Sequence, residues 1–211
     1  MVVAPAESDV LAPLHDVPVL HRTVAGVLGS GVVERVVVLV PDALHVRARR
    51  ALDGLPVTVS ADPAAAAAAL RRAAGSAVLV HDAARPLTPP ALVAAVARSV
   101  PGHGVAVPVL PLADTVKHVD ADGLVSGGPD RAALRVVQTP QGLAPASLAG
   151  DVLACILAAP PEHAWRAVLA AGGGPVVTVP GDPLAFPVRS VWDRERAEAL
   201  AGDVGAVVGS R

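Results

Sequence analysis

The sequence predicts an α/β protein with a doubly wound, mostly parallel sheet from which a β-hairpin arm protrudes. Short runs rich in valine and leucine alternate with segments of helical spacing, as in folds built from strand–helix–strand units. One such run, at 77–80, stops at His81 and Asp82, as a buried parallel strand does at the edge where ligands bind. Polar and apolar residues then alternate over 114–125 around an Asp-Gly pair, which is typical of a hairpin.

The composition limits the class of protein. The 211 residues suit one domain, 1–211, and 53% hydrophobic residues with only 1% aromatic ones predict a core of valine, leucine and alanine. Few aromatic side chains and a net charge of -2 argue against nucleic-acid binding. The single cysteine, Cys155, allows no internal disulfide and no cysteine zinc cluster. No signal-peptide pattern and no long apolar run is present, so we expect a cytoplasmic protein without membrane contact.

Strands and helices alternate through the first half of the chain. A short first strand is expected at 2–6, and helical spacing predicts a helix from Val17 to the glycines at 29 and 31. The run VVVLV at 36–40, halted by Pro41, is the strongest strand signal. The further elements expected before the arm are a basic helix at 44–52, a strand at 57–59, an alanine-rich helix at 64–74, the strand ending at Asp82, a helix at 90–100 and a strand at 105–110.

The alternation breaks at the arm, which spans about 113–140. Its hairpin is expected at 114–125, and a returning extended segment at 131–139. Because a two-stranded extension is marginally stable alone, the arm predicts a homodimer. After the arm, the sequence predicts helices at 147–159, 164–171 and 192–201 and a strand at 176–179.

Three separated motifs contain the residues best suited to chemistry. They are HDAARP at 81–86, PLADTVK at 111–117, and DR at 130–131 followed by QTPQ at 138–141. In this order and spacing they resemble the 2-C-methyl-D-erythritol 4-phosphate cytidylyltransferase family of isoprenoid biosynthesis. The resemblance implies a Rossmann-like fold of the nucleotide-diphospho-sugar transferase type. It also implies that the substrate's phosphate attacks the α-phosphorus of CTP and pyrophosphate leaves, with Mg²⁺ as cofactor if the chain is active.

The resemblance assigns roles to five residues of the substrate side. Asp82 and Arg85 would hold the polyol end of methylerythritol phosphate, and Thr115, Arg131 and Thr139 would hold its phosphate. A guanidinium suits a phosphate because it offers paired donors and keeps its charge. Asp82 is also a candidate metal ligand. From the residues alone a second interpretation stays open, in which Asp82 caps a turn, Arg85 is solvated, and Arg131 and Thr139 belong to the surface of the arm.

The nucleotide side departs from the family pattern. The segment Ala4-Pro5-Ala6 is the remnant of the family's nucleotide-binding strand and loop. The acidic stretch at 7–9 follows it, where the family has a glycine-rich loop with an arginine and then Pro-Lys. SADPAA at 60–65 stands in place of a loop whose arginine and serine read the base. The groups that would cradle the triphosphate and recognise cytosine are therefore missing.

Two further segments differ near the end of the chain. Pro187 replaces the family's lysine, and Arg189, two residues on, is a candidate substitute cation. PEHA at 161–164 stands where the family has Thr-Asp-Asp-Ala. Each lost charge-assisted phosphate contact removes about 1.5–3 kcal/mol of binding free energy, so impaired use of CTP is expected.

Three functions fit these motifs to different degrees. The leading one is an impaired cytidylyltransferase, with methylerythritol phosphate as ligand and the binding of CTP in doubt. The alternative is a catalytically inactive paralogue that binds a phosphorylated polyol or a protein partner, for which the missing loop argues. The third is a sugar-nucleotide transferase that uses a different nucleotide, against which the same missing loop counts.

Overall fold

The computed structural model describes residues 2–3, 9–73, 75 and 77–208. In chain order the strands are β1 (Val2–Val3), β2 (Pro13–Leu14), β3 (Val17–Pro18), β4 (Val36–Leu39), β5 (Val57–Ser60), β6 (Val78–Asp82), β7 (Val105–Pro111), β8 (Arg135–Val137), β9 (Gln141–Leu143) and β10 (Val176–Pro180). The helices are α1 (Val19–Leu28), α2 (His45–Ala51), α3 (Pro63–Ala73), α4 (Pro90–Ser99), α5 (Val152–Ala158), α6 (Ala164–Ala170) and α7 (Val191–Val208). Across these described residues, none of the helices is both long enough and apolar enough to cross a membrane.

The main sheet has the strand order β10-β7-β9-β6-β1-β4-β5, and β8 pairs with β7. The strands β6, β1, β4 and β5 are mutually parallel, as are β7 and β10. Between these two groups β9 runs antiparallel to both β6 and β7. The predicted doubly wound, mostly parallel sheet is therefore confirmed, and the carboxyl ends of its parallel strands meet at one edge.

Alternate residues of β4 show how the two faces of the sheet are covered. Val36 and Val38 belong to a core formed with α1 and α2, whereas Val37 and Leu39 belong to a core formed with α3, α5 and α6. A third group of buried residues joins α4 to β7 and β10. The buried hydrophobic residues are valine, leucine and alanine with one isoleucine, so the aromatic-poor core is confirmed. Each fully buried valine or leucine side chain stabilises the folded state by about 1.5–3 kcal/mol relative to an exposed one.

The first helix begins later than its spacing predicts. Val17 pairs with Leu14 in the small β2–β3 hairpin, and α1 starts at Val19. The hairpin turns through His15 and Asp16, which have φ angles of 45° and 63°. Such a turn has no glycine to mark it, so the sequence does not reveal it.

Glycines explain two other differences. Gly150 has a φ of 59°, and α5 begins only at Val152, so the helix predicted at 147–159 is shortened at its start. The short strand β9 carries no strand signal because a glycine stands at its centre. That residue, Gly142, lies so close to α4 that a Cβ would collide with Val96 and Val100.

The arm is a hairpin held by its own hydrogen bonds, which include bonds from the His118 N–H to the Gly127 carbonyl and from the Asp120 N–H to the Leu124 carbonyl. Val119 and Val125 form a single antiparallel bridge. Asp120 Oδ1 accepts hydrogen bonds from the N–H groups of Asp122 and Leu124 at 3.0 and 2.9 Å, which closes the Asp-Gly turn. The predicted hairpin is thus present, and the returning segment contributes β8. Exposed apolar side chains of the arm and β8 are Val116, Val119, Leu124, Val125 and Val136.

Candidate functional site

The site lies where β6 ends at the carboxyl edge of the sheet. Asp82 is the last residue of β6 and pairs with Val3 of β1. The Ala83 N–H donates to the Val3 carbonyl at 2.8 Å, which extends this pairing beyond the strand. The predicted nucleotide-binding remnant, Ala4-Pro5-Ala6, follows Val3 directly but lies outside the described residues.

Asp82 is fully buried, and its carboxylate has several partners. Oδ1 accepts a hydrogen bond from the Ala84 N–H at 2.9 Å, which is the turn-capping contact. Oδ2 lies 2.8 Å from Nη2 of Arg189 and 3.5 Å from Nε of Arg85. A buried carboxylate requires such partners because an unpaired buried charge is strongly unfavourable. Asp82 therefore caps the turn after β6 and also forms the centre of an ion network.

Arg85 is buried beside Asp82, so the interpretation in which it is solvated is wrong. Its side chain is 6% exposed, and Nη1 donates to the Ala185 carbonyl. Burial lowers the pKa of Arg85 from its ordinary value, and Arg189 acts in the same direction, against the charges of Asp82 and Glu162. The group stays charged because the ordinary pKa of arginine is so high. A permanent cation is thus fixed beneath the edge of the sheet.

Arg189 covers the outer side of Asp82. Its side chain is 42% exposed, and the Nη2 that contacts Asp82 also lies 3.6 Å from Oε1 of Glu162. Burial is the largest single influence on the pKa of Arg189 and lowers it, but the charges and hydrogen bonds of Asp82 and Glu162 together raise it above its ordinary value. Two guanidiniums and two carboxylates thus form one network, called the Asp82 network below.

Arg189 is fixed by the start of α7. Asp193 Oδ2 accepts hydrogen bonds from the N–H groups of Arg189 and Ser190 at 3.1 and 2.9 Å, and Ser190 Oγ accepts one from the Asp193 N–H at 3.1 Å. This reciprocal cap is typical of a serine three residues before an acidic residue. Slight burial raises the pKa of Asp193, but the hydrogen bond that Ser190 Oγ donates to Oδ2 at 2.8 Å and the two backbone N–H bonds lower it below its ordinary value. The Val188 N–H donates to the Ala84 carbonyl at 2.7 Å, which anchors the preceding segment to the turn after β6.

Two buried glutamines tie neighbouring loops to the site. Gln138 Nε2 donates to the Asp182 carbonyl at 2.9 Å, and its Oε1 accepts from the Asp182 N–H at 3.0 Å. Gln141 Nε2 donates to the Glu162 carbonyl at 2.6 Å, and its Oε1 accepts from the Trp165 N–H at 2.9 Å. One glutamine therefore fixes the loop that leads to Arg189, and the other fixes the turn that carries Glu162.

Thr139 is fully buried behind Asp82, so its interpretation as a surface residue of the arm is wrong. Its Oγ1 lies 2.9 Å from Nδ1 of His81 and accepts a hydrogen bond from the Asp82 N–H at 3.2 Å. Burial, followed by the charge of Arg85, lowers the pKa of His81 to about 3. The imidazole is therefore neutral, and the tautomer decides whether its Nδ1 donates to the Thr139 hydroxyl or accepts from it. Thr139 thus supports the backbone of Asp82 from behind.

Thr115 and Arg131 lie on the arm, and both are exposed. Arg131 Nη1 donates to the Ala113 carbonyl at 3.2 Å. Within the described part of this single chain, neither makes a hydrogen bond or an ion pair with the Asp82 network. The predicted site residues that the structure brings together are Asp82, Arg85, Thr139 and Arg189.

The Asp82 network does not have the composition of a metal site. Among the described residues, no group of three or more histidine, cysteine, aspartate and glutamate side chains could hold a metal ion. Asp82 Oδ1 faces a backbone N–H and Oδ2 faces two guanidiniums, so neither oxygen is available to a cation in this arrangement. The residues present therefore do not fit the candidate metal role of Asp82.

Glu162 and His81 contribute to the site without a signal in the sequence. Glu162 lies on the 3-10 turn Pro161–His163 before α6, and no spacing rule predicts its contact with Arg189. His81 stands in the HDAARP motif, but its contact with Thr139 depends on how β6 and β9 pair. Only the order of the strands in space could have indicated either contact.

The arrangement is suited to holding a ligand that carries negative charge and hydroxyl groups. Arg85 and Arg189 supply two permanent cations, and Arg189 is open to solvent. Such groups position and neutralise a phosphate rather than attack it. The geometry thus favours binding and orientation of a phosphorylated substrate at the carboxyl edge of the sheet.

Known proteins resemble this chain in sequence and in fold. The family model described as 2-C-methyl-D-erythritol 4-phosphate cytidylyltransferase (IspD) matches residues 7–202. The protein of that name from Nocardia farcinica is 43% identical over 198 residues, which cover 89% of this chain and 83% of the relative. The one from Frankia casuarinae is 46% identical over 194 residues, which cover 87% and 70%. The crystal structure of the Thermus thermophilus protein matches with a TM-score of 0.74 at 32% identity and covers 95% of this chain and 98% of that one. The chain therefore belongs to the 2-C-methyl-D-erythritol 4-phosphate cytidylyltransferase family.

Proposed function

We propose that this chain transfers CMP from CTP to 2-C-methyl-D-erythritol 4-phosphate, with reduced affinity for the nucleotide. The observation that carries the proposal is the Asp82 network at the carboxyl edge of the sheet, where α/β folds bind their ligands. Relatives named for this reaction supply the substrate class. The reaction needs orientation and charge neutralisation more than a protein nucleophile, and two fixed guanidiniums offer both.

On the substrate side, Arg189 is the residue of the Asp82 network best placed to meet a phosphate. Its side chain is 42% exposed, and its contacts with Asp82 and Glu162 use the same nitrogen, Nη2. The other guanidinium nitrogens can therefore donate to an incoming anion. Asp82 and Arg85 would bind the polyol end below it, and Thr139 would support them.

The arm supplies the remaining substrate contacts if two chains associate. Thr115 and Arg131 are exposed and apart from the Asp82 network of their own chain. Exposed Val119, Leu124 and Val125 make the tip of the arm apolar, and a partner surface would remove these side chains from water. We therefore propose a homodimer in which the arm, about 113–140, extends from the single domain 1–211 and meets the partner.

The nucleotide side supports the reduced affinity. In the segment at 60–65, Asp62 Oδ1 accepts a hydrogen bond from the Ala64 N–H at 2.8 Å, so the segment caps α3. Ser60 Oγ accepts one from the Asp62 N–H at 3.1 Å. A carboxylate of the chain itself therefore occupies the start of this helix, at the place where the family reads the base. Arg189, the exposed cation of the Asp82 network, remains available to a phosphate.

Nucleotidyl transfer generally proceeds with a divalent ion, and we propose Mg²⁺ for this chain. Asp82 does not fit as its ligand, because Oδ2 is occupied by Arg85 and Arg189. The ion would accompany the phosphates of the nucleotide, which are ligands that Mg²⁺ prefers.

The test is a pyrophosphate-release assay with CTP, 2-C-methyl-D-erythritol 4-phosphate and Mg²⁺, in which each component is omitted in turn. We expect release that requires all three and saturates only at high CTP concentration. Calorimetric binding of the polyol phosphate without any release would contradict the proposal and establish the inactive paralogue. Binding of neither ligand would also contradict it.

A further inference from the structure

Two carboxylates hold Arg189 through one of its nitrogens. Nη2 lies 2.8 Å from Asp82 Oδ2 and 3.6 Å from Glu162 Oε1. Within the part of the chain that the structure describes, Nε and Nη1 of Arg189 donate no hydrogen bond. The guanidinium is therefore fixed on its inner side and open on its outer side.

The two carboxylates differ in what else holds them. Asp82 is fully buried, with Ala84 and Arg85 as further partners. The Glu162 side chain is 22% exposed, and its buried Oε2 has no hydrogen-bond partner among the described residues. Its backbone is fixed by Gln141, which keeps the side chain beside the guanidinium. An anion that approaches Arg189 from solvent therefore meets the negative charge of Glu162 at the same group.

We propose that Glu162 is an affinity-determining residue, whose carboxylate competes with a phosphorylated ligand for the positive charge of Arg189, although not for the same nitrogen, and so weakens binding. This inference rests on the proposed function, in which Arg189 meets the phosphate of 2-C-methyl-D-erythritol 4-phosphate. The competing ion pair is partly exposed, and its 3.6 Å separation is longer than the contact with Asp82. The competition is therefore modest, and its removal strengthens binding about threefold to fivefold.

The test compares the wild type with Glu162→Gln in calorimetric titrations with 2-C-methyl-D-erythritol 4-phosphate. Glutamine keeps the size of the side chain and removes its charge. Glu195→Gln is the matched control, because Glu195 is exposed on α7 and, among the described residues, forms no ion pair with Arg189. We expect a dissociation constant about threefold to fivefold lower for Glu162→Gln and a change below about 1.5-fold for Glu195→Gln.

The same titrations of Glu162→Gln and Glu195→Gln in an Arg189→Ala background show whether Glu162 acts through Arg189. Without the guanidinium, Glu162→Gln should strengthen binding no more than Glu195→Gln does. An equal gain without Arg189 would overturn the proposal, since Glu162 would then act as a general repulsive charge. Unchanged or weaker binding in Glu162→Gln would overturn it, and so would the absence of binding in both wild type and variant. Arg189→Gln takes the place of Arg189→Ala if the alanine variant does not fold.

Pyrophosphate release by the same proteins separates this inference from the proposed function. If Glu162→Gln binds the polyol phosphate more tightly but no protein releases pyrophosphate from CTP, the inference stands and the proposed function fails. If the wild type turns over and Glu162→Gln binds no more tightly, the proposed function stands and the inference fails.

Discussion

The Asp82 network and the hairpin arm carry two halves of one predicted binding site, but they are built differently. Around Asp82 the side chains are buried, and their partners come from distant parts of the chain. On the arm, Thr115 and Arg131 are exposed, and the hairpin is joined by backbone hydrogen bonds between residues close in sequence. The network is thus preorganised by the folding of one chain, whereas the arm would meet a second surface in the dimer that we propose. Substitutions should therefore affect stability first in the network and assembly first in the arm.

The largest expected effect comes from neutralising the centre of the network. Asp82→Asn leaves the buried guanidinium of Arg85 without its carboxylate, and breaking such a pair lowers the free energy of unfolding by about 3–5 kcal/mol. Asp114→Asn, the same substitution at an exposed residue of the arm, should change it by less than about 0.5 kcal/mol. Chemical denaturation measures both values. Equal losses would contradict the contrast between the two regions.

The next effect should appear on acidification. Burial lowers the pKa of His81 from 6.5 to about 3, so the unfolded chain takes up a proton that the folded chain excludes. The stability that depends on neutral His81 is complete above pH 6.5 and decreases as the pH falls toward 3, by at most about 1.4 kcal/mol per pH unit. His81→Asn should flatten the free energy of unfolding between about pH 6.5 and 5, before most carboxylates titrate. His118→Asn on the arm is the control. If the free energy of unfolding of His81→Asn varied with pH as steeply as that of the wild type, neutral His81 would not be the cause of the pH dependence.

A smaller difference is expected between two threonines. Thr139→Val leaves His81 Nδ1 and the Asp82 N–H without their buried partner and should lower the free energy of unfolding by about 1–3 kcal/mol. Thr115→Val on the arm should change it by less than about 0.5 kcal/mol. Thr139→Ser keeps the hydroxyl and should recover most of the loss. Thermal denaturation of the three variants checks the order, and a serine variant as unstable as the valine one would exclude the hydrogen bond as the cause.

The smallest effect on the fold, but a large one on assembly, is expected at the tip of the arm. Leu124 is 65% exposed, so Leu124→Asp should leave the unfolding of the single chain nearly unchanged. A charge at a surface that a partner covers should shift the protein from dimer to monomer. Size-exclusion chromatography with light scattering measures the mass. A dimer that persists in this variant would show that the arm tip is not the interface.

Much of the sheet could be predicted because its signals are local. The runs that form β4 and β6 are apolar and end at a proline or an acid, so their positions follow from the sequence itself. The sequence predicts a start of α7 at 192, and the helix begins at Val191, after Ser190 of the Ser190–Asp193 cap. In contrast, β9 enters the sheet through pairing with two distant strands, and its central glycine hides it.

The site could be predicted only in part. Asp82 and Arg85 stand together in one motif, so their proximity is local. Arg189 is a candidate cation because it lies two residues after Pro187, which replaces the family's lysine. Its contact with Asp82 joins residues separated by more than half of the chain, so the sequence does not indicate it. Glu162 escapes prediction because its contact with Arg189 depends on how Gln141 positions a turn, which no periodicity encodes.

We propose that the Asp82 network forms the inner half of a site for a phosphorylated polyol. Calorimetric titration of 2-C-methyl-D-erythritol 4-phosphate into the wild type and Arg189→Ala tests this proposal most directly. Loss of a charge-assisted contact to the phosphate should raise the dissociation constant about tenfold or more. Thermal denaturation of the same samples shows whether the variant is folded. Binding by the wild type with a tenfold loss in the variant is the result predicted here. Equal affinity of the two folded proteins would contradict the assignment of the site to this network.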